Sequence, residues 1–534
     1  MGDFESESSS SDGENAGEVK NVARLVMRPP GHSGKAKKGH LVFDASFEGG
    51  NLGRVDYVGE LDYDLYVRPD VANPRHRVWF NFTVENVRTD QRVVFTFVNF
   101  SKVLLLFHEG FTPVVKSTSR PHWVRIPSKC VFYYRCPEHG NRYVLSIVFA
   151  FDREDDVYHF AFSYPYSYSR LQKYLENLEA QQLPYFKREK IGETLHGRYL
   201  DMVTIDAPEK ATDNKEKDLQ NDVQSKSKKK KVVMVGARIH PGETPSSYVC
   251  QGMINFLLSS HPVAEILRKN VVFKFIPMLN PDGVYVGNYR TCILGQDLNR
   301  CWQEKSIHAY PTLAAVKNIG ESLSSEKEKE IDMYLDLHAH TGQLGSFVYG
   351  NSYSDVYRLQ RHTLFPKHLS YCAQDFSLEH TVYNKDRNKS GTSRRFLSSF
   401  LNDKVNCYTL EVSFHGYEMP KGNSTTVHVY NEEEYLQLGK KICYALLDYY
   451  VTTKYLSPEQ IPPAILDAYC KGFRAKISNK SPQRLPPNIG KDKKSGTQTS
   501  KRTKEKITKA NVVSPSNIKG NHLKSKKPQD AKNN

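Results

Sequence analysis

The sequence predicts an α/β protein built in two parts: an antiparallel β-sandwich, then a larger domain around a mixed, partly parallel sheet. Three observations carry that expectation. Between residues 40 and 168, apolar side chains recur at every second position, in short runs separated by Asn, Asp, Gly and Pro. Beyond residue 168, strong apolar β runs alternate with helical segments, the pattern of an α/β sheet. Those later β runs end in clusters of His, Asp, Glu and Asn, at the edge where open α/β sheets bind ligands. A chain of 534 residues has room for two or three domains. Its 39% hydrophobic and 11% aromatic content is enough to pack them, which excludes wholesale disorder.

In chain order, residues 1–36 are expected to be a disordered, acidic and Ser-rich start. Residues 1–20 hold six carboxylates and one Lys, with neither the basic start nor the apolar stretch of a secretory signal. Residues 37–170 form the expected sandwich. Phe80, Phe82 and Val84 alternate with Asn81, Thr83 and Glu85, and Val93, Phe95 and Phe97 alternate with Val94, Thr96 and Val98. Residues 143–151 and 157–162 are further strands; nothing here has metal or catalytic spacing, so the part reads as scaffold or recognition domain. The second domain is expected over residues 171–455. It opens with a helix at 171–180, whose Leu171, Tyr174, Leu175 and Leu178 share one face. Strands follow at 232–239, 271–279, 331–337 and 407–413, with helices at 246–259 and 312–325. A polar insertion at 209–231, with eight Lys and five acids, reads as a surface loop. Its KSKKKK run has the composition of a nuclear signal but leads straight into a strand. Residues 471–534 carry 18 Lys and Arg against 3 Asp and Glu, while the rest of the chain holds 57 against 56. The net charge of +16 is therefore a property of this expected disordered tail. Such a tail can meet an acidic surface (nucleic acid, anionic lipid or an acidic protein) in a salt-dependent way. Nine Cys, odd in number and without a CxxC pair, argue against a disulfide framework or a Cys-type zinc site and for a reducing, cytosolic setting. No run reaches the roughly 18 apolar residues of a membrane span.

The chemistry concentrates at the strand ends. After the run 232–239 come His240 and Glu243, in HxxE spacing. A neutral imidazole and a carboxylate suit zinc, although the pair alone is a weak signal. The run 271–279 ends in Asn280-Pro281-Asp282-Gly283, and the run 331–337 in Asp336-Leu337-His338-Ala339-His340. A catalytic zinc needs three protein ligands and an open position, so His240, Glu243 and either His338 or His340 would serve. Asp336 either orients a ligand or is a satisfied strand-end carboxylate. Glu411 stands inside an apolar strand. There it is costly unless paired or working, as a general base and acid, or else it lies on the wet face of the sheet. Arg290, Asn299 and Arg300 suit an anionic ligand, or alternatively hold a loop.

Taken in order, HPGE (240–243), NPDGV (280–284), GNYR (287–290), DLNR (297–300), DLHAH (336–340) and YTLE (408–411) resemble the M14-class zinc carboxypeptidases, most of all their cytosolic carboxypeptidase branch. The resemblance covers roughly residues 185–455. Upstream, WFNFTVENV, FVNFSK and SYPYSYSRL resemble the β domain that precedes the catalytic domain in this branch. The resemblance implies a mixed-sheet carboxypeptidase domain holding one zinc through His240, Glu243 and His338. It implies that Glu411 is the general acid/base and that Arg290 polarises the scissile carbonyl. It further implies that Asn299 and Arg300 bind the substrate's terminal carboxylate. In the stretch Gly391-Thr392-Ser393-Arg394-Arg395, Arg394 matches the residue that sets specificity, and a cation there implies a glutamate or aspartate side chain; the bland alternative is a surface pair with Arg395. The branch is associated with removing glutamates from tubulin and other proteins. The implied substrates are polyglutamylated tubulin and similar acidic tails, and the implied location is the cytosol, with microtubule structures such as centrioles or basal bodies. One departure stands out: residues 384–389 lack the substrate-capping Tyr of digestive members, and Tyr383 is out of register. Two rival readings are an inactive fold that binds tubulin tails or nucleic acid, and a zinc amidohydrolase for small N-acyl amino acids. The complete ligand set weighs against the first, and the large β domain against the second.

Overall fold

The computed structural model describes residues 20–461, except Leu104, residues 208–228, Asp403 and Asn423. Residues 1–19, most of the polar insertion and the basic tail at 471–534 thus lie outside the described residues. The first part is eleven strands: β1 (Leu25–Val26), β2 (Val42–Asp44), β3 (Arg54–Tyr57), β4 (Asp62–Tyr66), β5 (Asn81–Glu85), β6 (Arg92–Phe97), β7 (Val114–Ser117), β8 (Val124–Arg125), β9 (Val131–Cys136), β10 (Arg142–Ala150) and β11 (Tyr158–Ala161). They form two sheets, in the orders β1-β2-β5-β11-β7-β8 and β3-β4-β6-β10-β9. Every pairing between them is antiparallel except β4 with β6. On β6 the expected alternation holds, with Val93, Phe95 and Phe97 buried. On β5, Asn81 and Thr83 are buried as well; their side chains donate to the carbonyls of Gly49 and Asp44. The rings of Phe80 and Phe97 stack at 4.1 Å, and Phe43, Phe82, Phe95 and Phe160 pack beside them. The sandwich begins ahead of residue 37, because β1 pairs with β2 and Val22 N donates to Leu52 O at 2.8 Å.

The second part carries one eight-stranded sheet: β12 (Phe186–Glu193), β13 (Tyr199–Ile205), β14 (Lys230–Ala237), β15 (Val271–Ile276), β16 (Lys329–His340), β17 (Ser346–Asn351), β18 (Val382–Asn384) and β19 (Asn406–Ser413). Their order is β12-β13-β15-β14-β16-β19-β17-β18. The central four, β15, β14, β16 and β19, run parallel, so their C-terminal ends meet at one edge. These strands are apolar along most of their length because helices cover both faces. The helices are α1 (Tyr168–Glu179), α2 (Thr244–Leu258), α3 (Pro262–Asn270), α4 (Pro281–Tyr285), α5 (Pro311–Ser325), α6 (Val356–Cys372), α7 (Ser393–Phe400) and α8 (Glu432–Thr452). A hairpin of β20 (Gly416–Lys421) and β21 (Ser424–Val429) precedes α8. The end of the expected insertion is strand: Lys230 and Lys231 belong to β14, where Lys231 pairs with Glu330 at 2.9 Å and Lys230 with Asp206. Among the described residues no helix is long and apolar enough to cross a membrane.

Helix α2 carries Glu243 immediately before its first residue, and α8 is its main helical neighbour. The two backbones approach closely at two glycines. A Cβ on Gly439 would collide with the carbonyl of Val249, and one on Gly252 with the carbonyl of Leu436. We expect Gly439→Ala to cost about 1–3 kcal/mol through forced displacement of α8. Thermal unfolding checks this, and an unchanged midpoint would contradict the close contact.

Candidate metal centre and active site

The strand β14 ends at Ala237, and the chain turns through Arg238, a non-glycine residue at φ 57°. Such a conformation costs of order 1 kcal/mol and persists only where the surroundings enforce it. Here the buried Arg238 guanidinium donates to Pro241 O (2.7 Å), Tyr166 O (3.0 Å) and Ser247 Oγ (3.0 Å). The tied turn presents His240 and Glu243 side by side. Glu243 is the residue immediately before α2, and its carboxylate is turned toward the two imidazoles rather than onto the helix's first N–H groups. The adjacent strand β16 delivers His338, one residue beyond the Ala237–Leu337 register pair. On the next strand, Glu411 is in register with His338, so the two side chains leave the same face of the sheet together.

These residues converge tightly. His240 Nδ1 lies 2.8 Å from Glu243 Oε1, His338 Nδ1 lies 2.9 Å from Glu243 Oε2, and the two Nδ1 atoms are 3.2 Å apart. Ala339 N also donates to Glu243 Oε2, at 3.0 Å. The far nitrogen of each ring meets a second carboxylate: His240 Nε2 is 3.0 Å from Asp297 Oδ1, and His338 Nε2 is 2.8 Å from Asp336 Oδ2. Such outer carboxylates hold a ligating imidazole in the tautomer that carries its proton on the far nitrogen. Both Nδ1 lone pairs then face the Glu243 carboxylate. Acceptors gathered this closely are stable only around a proton or a cation, and two imidazoles with a carboxylate are a zinc-type donor set. Together His240, Glu243 and His338 form the group able to hold a metal ion among the described residues.

The electrostatics agree. Burial would raise the Glu243 carboxyl, but the imidazoles of His240 and His338 hold it well below the usual carboxylate range. Burial would lower His338, but Asp336 and Glu243 push it well above the usual imidazole range, so the site draws positive charge. Burial would likewise raise Asp297, yet Arg290 and His240 hold it far down. Glu411, half-buried, is pushed up to about 7, first by burial and further by the charges of Glu243 and Asp336. A carboxyl poised near neutrality suits both taking and giving a proton.

The other expected residues fall into three groups. Arg290 borders the cluster, with Nε 2.9 Å and a terminal nitrogen 2.8 Å from Asp297 Oδ2. Asn299 is buried with its amide engaged: Oδ1 accepts from Ser393 N at 2.9 Å, and Nδ2 lies 3.2 Å from His338 Nε2. Arg300 is exposed, donating to the carbonyl of Asn299 at 3.0 Å. Arg394 is 3% exposed, which removes it from the surface-pair alternative. Its guanidinium donates to Gly350 O (2.5 Å), Asn351 Oδ1 (2.7 Å) and Asn384 Oδ1 (3.1 Å), and burial beside Arg395 lowers it to about 10. Its chain neighbour Ser393 bonds Asp336, which links this buried cation to the metal cluster. His340 stays outside the cluster; its Nδ1 accepts from Gly342 N at 2.9 Å. Tyr383 sits on β18 with its ring 5.8 Å from that of His362. Sequence reasoning missed Arg238, Ser393 and the orienting role of Asp297. For Asp297 a signal existed, since a ligating imidazole requires an acceptor on its second nitrogen.

Comparison with known proteins fits this geometry. Residues 171–436 match the zinc carboxypeptidase family, and residues 43–162 match the cytosolic carboxypeptidase N-terminal domain. The chain therefore belongs to the zinc carboxypeptidases, in the cytosolic carboxypeptidase branch. It is 50% identical to cytosolic carboxypeptidase 6 of Mus musculus over 430 residues, covering 80% of this chain and 77% of that one. With the Homo sapiens protein of the same name it shares 48% over 442 residues, 83% and 85% of the two chains. Its fold is similar to a crystal structure of a metallo-carboxypeptidase from Burkholderia cenocepacia, with a TM-score of 0.62 at 23% identity, covering 77% and 99% of the two chains.

Asp297→Asn should weaken zinc binding about 10–100-fold, because an amide can turn a donor toward His240 Nε2. Titration against a competing chelator measures it. Equal affinity in wild type and variant would show that Asp297 does not orient the ring.

Proposed function

We propose that this chain removes glutamate from the C-termini or polyglutamate branches of acidic protein tails, polyglutamylated tubulin among them. The observation that carries this reading is Arg394, a buried guanidinium whose three bonded partners are all neutral oxygens. A buried charge without a counter-ion is costly, and a substrate carboxylate supplies one. On this reading the exposed Arg300 takes the terminal carboxylate, and the buried Asn299 beside it holds Ser393 N through its Oδ1.

Zinc, held by His240, Glu243 and His338, supplies Lewis-acid polarisation when bound. The rest falls to the chain's own residues. The Glu411 carboxylate takes a proton from the attacking water as oxygen adds to the scissile carbonyl carbon. The Arg290 guanidinium faces the negative charge developing on the carbonyl oxygen. Burial would lower Arg290, but Asp297 and Glu243 raise it, so it stays charged throughout. As the C–N bond breaks, Glu411 returns its proton to the leaving amine nitrogen. The relatives' names point to the cytosol, and we extend that setting, with microtubule structures, to this chain. The basic tail serves at most to speed encounter with acidic polymers.

Mass spectrometry of a peptide ending in several glutamates, before and after incubation, tests the reading. Wild type should shed glutamates one at a time, and Glu411→Gln none. Arg394→Ala should lose about 100-fold in kcat/KM on glutamate and much less on a neutral C-terminal residue. Equal wild-type cleavage of glutamate- and alanine-ended peptides would overturn the specificity.

A further inference from the structure

Arg290 stands on a loop that the sandwich domain grips. The carboxylate of Asp70, a residue between β4 and β5 that is 3% exposed, receives four bonds from this loop. Tyr289 N donates to Oδ1 at 2.6 Å, while Arg290 N (2.8 Å), Thr291 N (2.8 Å) and Thr291 Oγ1 (3.0 Å) donate to Oδ2. Three successive backbone N–H groups converging on one anion form a nest, and burial strengthens each bond. The grip extends along the loop. Asn51 Nδ2 donates to Gly287 O (2.9 Å), Val71 N to Asn288 Oδ1 (3.0 Å), and Asn73 Nδ2 to Gly295 O (2.9 Å). The two surfaces meet so closely that a Cβ on Gly287 would strike the carbonyl of Gly50, and one on Gly295 that of Ala72. Both glycines also have positive φ, 75° and 73°, which L side chains rarely adopt.

The opposite side of the same loop touches the metal cluster. Gly242 N, in the turn that carries His240 and Glu243, donates to Tyr289 O at 2.7 Å. The Arg290 guanidinium reaches Asp297, which in turn holds His240 Nε2. The segment thus lies between a fixed wall from one domain and the reacting groups of the other.

We propose that Asp70 is a positioning residue of the reaction: it fixes the backbone at Arg290, and thereby the place where the guanidinium meets the developing oxyanion. The sandwich domain then completes the active site, where sequence gave it only a scaffold or recognition role. This inference rests on the role assigned to Arg290 in the reaction above.

A double-mutant cycle on the full-length, zinc-loaded protein tests it, read on whichever C-terminal residue wild type releases, so that a failure of glutamate specificity is a separate result. Asp70→Asn keeps the shape but turns an NH2 group toward backbone donors, leaving groups unpaired. It should lower kcat about 10-fold with little change in KM and in zinc content. In an Arg290→Ala background the same change should cost nothing further, because its effect runs through Arg290. Hydrogen exchange of the amides at 289–291 should be faster in Asp70→Asn, whatever the activity. An equal factor in both backgrounds, or unchanged exchange at these amides, overturns the proposal. If Asp70→Asn does not fold, Thr291→Val, which deletes one of the four bonds, enters the same cycle; it should lose about 2- to 3-fold in kcat in the Arg290 background and nothing in the alanine one.

Discussion

Glu243 is shared by two imidazoles, and that sharing constrains everything else in the site. Its oxygens lie 2.8 and 2.9 Å from His240 Nδ1 and His338 Nδ1. The arrangement holds only while both rings keep their protons on the far nitrogen, so each needs its own outer carboxylate. Asp297 and Asp336 meet that need, and each is itself tied: Asp297 to Arg290, Asp336 to Ser393. Four carboxyl groups, counting the half-buried Glu411, are thereby gathered close together. Without cations they would repel one another. Arg290 offsets part of that repulsion, and His240, Glu243 and His338 leave room for a cation to offset more. Burial first, and then the neighbouring carboxylates, push Glu411 up to about 7.

The fold explains why these residues come together although they are far apart in sequence. Four parallel strands end at one edge, which brings the turn after β14 and the ends of β16 and β19 into adjacent positions. The segment after β15 carries Arg290 and Asp297, and it lies against the sandwich domain rather than on the sheet. Arg394, the second residue of α7, points among Gly350, Asn351 and Asn384 at the ends of β17 and β18, and its neighbour Ser393 bonds Asp336, which meets His338.

The legible parts of the sequence were those in which one residue carries the signal locally. The strands β14, β15, β16 and β19 announced themselves as apolar runs, and His240 and Glu243 as polar residues where such a run stops. The choice between His338 and His340 was not legible from spacing, because residues two apart share one face of a strand. Burial separates them: His338 is 2% exposed, whereas His340 is half-buried beyond the cluster. The strand β12 was hidden because its sequence, FKREKIGE, is charged on both faces; Arg188 is neutralised only by Asp201 and Glu179 from other elements. Helix α6 mixes charges with Pro366 and has no clear apolar stripe. Asp297 reads locally as a cap, and it does accept from Asn299 N at 2.8 Å, which masks its second task. Asp70 looks like an ordinary turn residue until the loop at 289–291 is folded onto it, more than two hundred positions away.

The most direct test of this account is anomalous diffraction at the zinc edge from crystals of the protein. We predict one peak, in contact with Nδ1 of His240, Nδ1 of His338 and the carboxylate of Glu243, with Glu411 beside it and unligated. A peak bound through the Nε2 atoms, or through Asp297 or Asp336, would contradict the division of labour between ligands and orienting carboxylates on which the mechanism stands.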